Sequence, residues 1–104
     1  MSAMLRSGGN AVDAAVAAAF ALGVVEPAAS GLGGQSVMLL HLGKSGRTFC
    51  LDGGSRAPHR TPPGRLGREA QLRGHKATTV PSTPAVLAWA LQRYGTKSLE
   101  EVLE

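Results

Sequence analysis

Few side chains here have chemical reach: one thiol, Cys50; three imidazoles, His41, His59 and His75; and the glycine-rich run Ser30-Gly31-Leu32-Gly33-Gly34. A single cysteine offers neither an internal disulfide framework nor a metal-binding pair. Its setting in Thr48-Phe49-Cys50-Leu51 reads as a buried small hydrophobe in preference to a nucleophile. The histidines lack the spacing of metal ligands, so no metal site and no cofactor are expected. The glycine run could turn backbone N–H groups toward an anion. It lacks the Lys-Ser/Thr ending of a phosphate loop, however, and it follows a helix instead of opening one. The preferred reading is steric, with glycines letting the next strand pass close to its neighbours.

The formal charge is +4, which raises the question of nucleic acid. The densest basic group, Arg56, His59, Arg60, Arg65, Arg68, Arg73, His75 and Lys76, lies in a Pro/Gly-rich stretch with no aromatic residue to stack on bases. Nucleic-acid binding is therefore not expected. Arg68-Glu69 and Glu100-Glu101 read as solvated faces.

These residues need elements to position them. Two glycines precede Asn10, which can accept from the orphan N–H groups of a first helical turn, while Asp13 places negative charge near the positive end of the dipole. A helix is expected from Asn10 or Ala11 to Val25, so uniformly apolar that it should be buried on most sides. The run is too short for a membrane span, which takes about 20 apolar residues, and it contains Asp13 and closes on Glu26-Pro27. With only Arg6 before the apolar run and no cleavage motif, a secretory signal is not read either. A soluble chain is the expectation, with the compartment unassigned.

The period then changes. Residues 36–42 and 47–51 read as two strands of a β-hairpin around Gly43-Lys44-Ser45-Gly46. Residues 56–76 form a long connection without regular periodicity, apart from a short helix expected within 66–72. A helix over 84–94 follows, with Ser82 or Thr83 as its N-cap and Pro84 in the first turn. The capping-box spacing of Ser98 and Glu101 starts another, with Leu99, Val102 and Leu103 inward. Hydrophobic residues make up 43% of the chain and charged ones 17%. So few charges suit an inner piece of something larger.

In this order the blocks resemble the amino-terminal part of the γ-glutamyltransferase family. They are Gly8-Gly9-Asn10-Ala11-Val12-Asp13-Ala14-Ala15, Val24-Val25-Glu26-Pro27, Ser30-Gly31-Leu32-Gly33-Gly34, Asp52-Gly53 with Ala57-Pro58, and Val80-Pro81 leading to Arg93-Tyr94-Gly95. The resemblance implies an α+β fold, a fragment of the αββα N-terminal nucleophile hydrolase architecture, spanning 1–104 as one incomplete large-subunit segment. It implies transfer or hydrolysis of γ-glutamyl amides such as glutathione. The nucleophile would be a threonine freed by autocleavage and activated by its own α-amino group. Thr61, Thr78, Thr79, Thr83 and Thr96 match no such motif and read as turn, strand or cap residues, so no catalytic residue is expected within the chain.

One binding residue is carried over. The family pattern Asp-Gly-Arg-Glu-Thr-Ala-Pro supplies an Arg for the substrate α-carboxylate, a task that suits a planar bidentate donor. Here the run is Asp52-Gly53-Gly54-Ser55-Arg56-Ala57-Pro58, with Gly54 at the Arg position. The resemblance is to a divergent branch reading Gly-Ser-Gly-Arg-Ala-Pro, and Arg56 becomes the candidate carboxylate contact. The alternatives are a solvated loop arginine or an ion pair with Asp52. Gln35 and Ser82 stand where the family often has Gly, and Ser82 is expected to strain its turn. The implied partners are a γ-glutamyl small molecule and the missing small-subunit sequence, with self-association through an exposed sheet edge as a further expectation. The rival reading is a non-catalytic α/β binding or assembly module. An enzyme segment should leave a sheet edge and an apolar helix face open, whereas an independent module should bury both or dimerise.

Overall fold

The computed structural model describes residues 1–62, 64 and 66–104, and among them are five α-helices and one β-hairpin. Pro63 of the long connection and Arg65 of the basic group lie outside the described residues. The helices are α1 (Ser2–Arg6), α2 (Ala11–Val25), α3 (Arg68–Leu72), α4 (Thr83–Tyr94) and α5 (Leu99–Leu103). A single 3₁₀ turn spans His75–Ala77. Strands β1 (Ser36–Leu42) and β2 (Arg47–Gly53) pair antiparallel, two residues further than the sequence suggested. Arg56 and Val80 form an isolated antiparallel bridge beyond them.

Local signals explain most of these boundaries. The Asn10 side chain accepts from the N–H groups of Val12 and Asp13, and Asp13 accepts from the N–H of Asn10, a reciprocal capping box. Gly8 takes a φ of +89° to turn the chain out of α1. At the hairpin turn Ser45 N–H and Gly46 N–H both donate to the Leu42 carbonyl, with Gly46 at φ +65°. Ser98 and Glu101 form the second capping box, as their spacing foretells.

The core forms where α2, α4, α5 and one face of the hairpin meet. Val12, Val16, Leu40, Leu87, Ala90, Leu91 and Val102 are buried together, with Met38, Phe49, Leu51 and Tyr94 packed against them. In the hairpin register Met38 faces Leu51 and Leu40 faces Phe49 across the strands, and the Phe49 ring lies 5.1 Å from that of Tyr94.

Period-two alternation sends the intervening residues to the other face. Cys50, opposite Leu39, is consequently exposed, which corrects the expectation of a buried thiol. Leu39 beside it is 74% exposed. The apolar run around Cys50 belongs to a strand with only one covered face.

Helix α2 is likewise not buried on most sides. Its first turns hold Val12, Asp13, Ala14 and Val16 in the core, whereas Leu22, Val24 and Val25 are exposed, Val24 at 79%. Gly31 of the following loop lies against Gly23, but these three side chains stay open to solvent. In α5 only Val102 is buried, and Leu99 and Leu103 face outward. No helix is long and apolar enough to cross a membrane.

Candidate functional site

A cavity of about 450 Å³ opens between the end of β2 and the first half of α4. Its strand side is Leu51, Asp52, Gly53, Gly54 and Arg56, and its helix side is Ser82, Ala85, Val86 and Trp89. The spacing of Ala85, Val86 and Trp89 puts them on one helical face.

Gly53 is where the two sides come closest. A Cβ there would overlap a Val86 methyl and lie 2.6 Å from the Ser36 carbonyl oxygen, so only glycine lets α4 approach β2 this tightly. The Ser82 hydroxyl donates to the Gly53 carbonyl and holds the same junction. Ser82 has a φ of −128°, so the strain expected from replacing glycine there is absent. Its hydroxyl links α4 to β2 instead of capping α4.

The loop after β2 is fastened at several points. Asp52 accepts from Gly54 N–H at 2.9 Å, and Gln35 accepts from the N–H and hydroxyl of Ser55 at 3.2 and 3.1 Å. The Gly34 carbonyl accepts from the N–H groups of Ser82 and Thr83. The glycine run thus tethers the start of α4 through a carbonyl. Against α2 the run makes only an ordinary contact: a Cβ on Gly23 would lie 3.6 Å from the Gly31 Cα. A Cβ on Gly31 or Gly33 would meet nothing within 4 Å, so the tight passage expected at those two positions does not occur.

Arg56 sits at the mouth of this cavity. Val80 N–H donates to its carbonyl at 2.8 Å, and its own N–H donates to the Val80 carbonyl at 3.5 Å. Its side chain is exposed, and it forms no ion pair with Asp52. The backbone is positioned while the guanidinium stays free of any carboxylate of the described residues. The sequence singled out Arg56 but not Trp89, which is 44% exposed and forms the apolar wall. Its place three positions after Val86, on the face turned to β2, was the available signal.

The other chemical side chains do not converge here. His41 pairs its Nδ1 with the Thr48 hydroxyl at 2.8 Å on the outer face of the hairpin, and His59 and His75 lie in the long connection. Among the described residues no three His, Cys, Asp or Glu side chains group as metal ligands.

A second polar centre escaped the sequence reading. Asp13, with no exposed surface, accepts from four groups. They are Asn10 N–H at 2.6 Å, Thr96 N–H at 2.9 Å, the Thr96 hydroxyl at 2.6 Å and Lys97 N–H at 3.1 Å. Asn10 Nδ2 donates to the Tyr94 carbonyl at 2.7 Å, so the cap of α2 also closes the end of α4. Burial alone would raise the Asp13 pKa. The bonds from the Thr96 hydroxyl and from the three backbone N–H groups outweigh it and hold the carboxyl below its ordinary value. Every Asp13 bond goes to the protein itself, which makes this a structural knot. Glu101 is also held low, by Ser98 N–H first and then by Lys97, its ion-pair partner at 3.2 Å. It is therefore a cap as well as part of a solvated face.

This arrangement, a hairpin backed by α4 with α2 packed on α4 and a cavity at the end of β2, belongs to the N-terminal nucleophile hydrolase class, whose solved members superpose on it. The Helicobacter pylori gamma-glutamyltranspeptidase crystal structure does so with a TM-score of 0.88 at 36% identity, over 98% of this chain and 31% of that one. The enzyme of Pseudomonas nitroreducens does so at 0.85 and 37%, over 97% and 32%. The sequence pattern described as gamma-glutamyltranspeptidase matches residues 2–104, and the chain belongs to that family. It is 37% identical to a glutathione hydrolase proenzyme of Pseudomonas sp. (strain A14) over 96% of its own length. The chain spans 18% of that relative.

Proposed function

We propose that the chain is a large-subunit segment, one incomplete domain over 1–104, of an enzyme that transfers or hydrolyses γ-glutamyl amides such as glutathione. Arg56 receives the substrate carboxylate at the mouth of the cavity, and Trp89 and Val86 shield one flank from water. The observation that carries this reading is Arg56 itself: anchored through its backbone to Val80, exposed, and without a carboxylate partner. A guanidinium in that state keeps its full donor fork for a ligand. The nucleophile comes from sequence other than these residues. Thr96 is committed to Asp13, and Thr83 opens α4. The rival reading, a self-contained binding module, finds less support. Among the described residues both edges of the hairpin are unpaired, and Leu22, Val24 and Val25 at the end of α2 are exposed.

The test is a titration of the 104-residue chain with a γ-glutamyl anilide, followed by NMR. Resonances of Gly54, Arg56 and the Trp89 indole should shift, Arg56→Ala should abolish the shifts, and Arg60→Ala should leave them. No chromophore should be released. Equal effects of the two substitutions would remove Arg56 from the site, and turnover by the pure chain would place a nucleophile within it.

A further inference from the structure

The net charge of the chain is concentrated in one place. Between Arg56 and Val80 there are six Lys and Arg residues and one acid, Glu69, a balance of +5, while the remaining residues sum to −1. The Arg56–Val80 bridge closes the base of this segment. Within it the Thr61 N–H donates to the Pro58 carbonyl at 2.9 Å, and Gly74, at φ +81°, turns the chain into the 3₁₀ turn. This folding brings Arg60 and Lys76, sixteen positions apart, to the same cavity of about 450 Å³. His75, Thr61 and Thr78 line it with them. Among the described residues no acidic side chain lines it, and neither Arg60 nor Lys76 is ion-paired with a carboxylate.

We infer that this cavity is a second binding site, for a small anion carrying at least two negative charges on phosphate or carboxylate oxygens. Two cations sharing a concave wall repel each other, and a multivalent anion between them turns that repulsion into attraction. Arg60 supplies a planar fork, Lys76 a point charge, and the two threonines supply neutral hydroxyl donors. The rest of the lining, Pro58, Pro62 and Leu66, is apolar. A longer nucleic acid fits less well, since the segment has no aromatic residue to stack on bases. The site is independent of the γ-glutamyl reading, because neither Arg60 nor Lys76 lines the cavity at Arg56.

The experiment is calorimetric titration of the 104-residue chain with inorganic pyrophosphate and, separately, with citrate, at low and at physiological salt. Saturable binding at one site that weakens with salt is expected for at least one of them. The tighter of the two assigns the oxygen chemistry. Arg60→Ala and Lys76→Ala should each weaken it by about tenfold or more, and Lys76→Arg should restore most of it. Arg93→Ala, a charge loss elsewhere, should leave it unchanged. Both loop substitutions are on exposed residues, and an unaltered far-ultraviolet circular dichroism spectrum confirms that the variants are folded. Absence of saturable binding to either anion overturns the proposal. So does equal weakening by Arg93→Ala, or binding to an oligonucleotide alone.

Discussion

Asp13 and Arg56 are both charged and both belong to family-like motifs, yet the structure treats them in opposite ways. Asp13 is sealed inside and every bond it makes is to the protein. Arg56 is fixed only through its backbone, and its charge is left facing solvent. A charge that is fully satisfied internally builds the fold, and one that is merely positioned is available to a ligand. The sequence motif alone does not separate the two cases, because each presents as a charged residue within a family-like block.

Removing each charge tests this contrast most directly. Asp13→Ala leaves three backbone N–H groups and one hydroxyl without their acceptor and should cost about 3–5 kcal/mol. That is a large share of the roughly 5–15 kcal/mol typical of a domain. Urea denaturation followed by circular dichroism measures it, and a loss under about 1 kcal/mol would mean that water replaces the knot. Gly95→Ala strains the knot without touching its charge. The added Cβ would sit 2.6 Å from both Asp13 Oδ1 and the Leu91 carbonyl oxygen. A cost of about 1–3 kcal/mol is expected in the same measurement.

Acid offers a third way in. The Asp13 pKa lies below its ordinary 3.8 in the folded chain, so its stabilisation is complete above that value. It drains away as pH falls from 3.8 through the lowered pKa. Stability should drop more steeply with acid in the parent chain than in Asp13→Asn, and parallel curves would show that the carboxylate contributes nothing. The smallest expected effect belongs to Arg56→Ala, within about 0.5 kcal/mol in stability. A larger loss would make Arg56 a structural residue and erase the contrast.

What the sequence disclosed and what it withheld divide along the same line. Signals that act over three or four residues were legible: Asn10 as the cap of α2, the Ser98 capping box, the Gly43–Gly46 turn, Pro84 at the start of α4. Signals that need a partner far along the chain were not. Asp13 reads as a dipole charge until Thr96 and Lys97 arrive beside it, and Ser82 reads as an N-cap until the Gly53 carbonyl takes its hydroxyl. Cys50 was misplaced because an apolar run says that a strand is sticky without saying how many of its faces are covered. Arg56 was legible as a candidate through family resemblance, whereas Trp89 became visible only when α4 was laid against β2.

The knot also sets a schedule. Asp13 and its partner Thr96 are 83 positions apart, and Asn10 and the Tyr94 carbonyl 84. During synthesis at about 5–20 residues per second, α2 therefore spends roughly 4–17 s outside the ribosome before its anchor is made. Over that interval the Asp13 carboxylate has only Asn10 N–H of its own cap, and α2 has no more than α1 and the hairpin to pack on until α4 follows. The nascent chain presents a window for chaperone capture that closes only when Thr96 and Lys97 emerge.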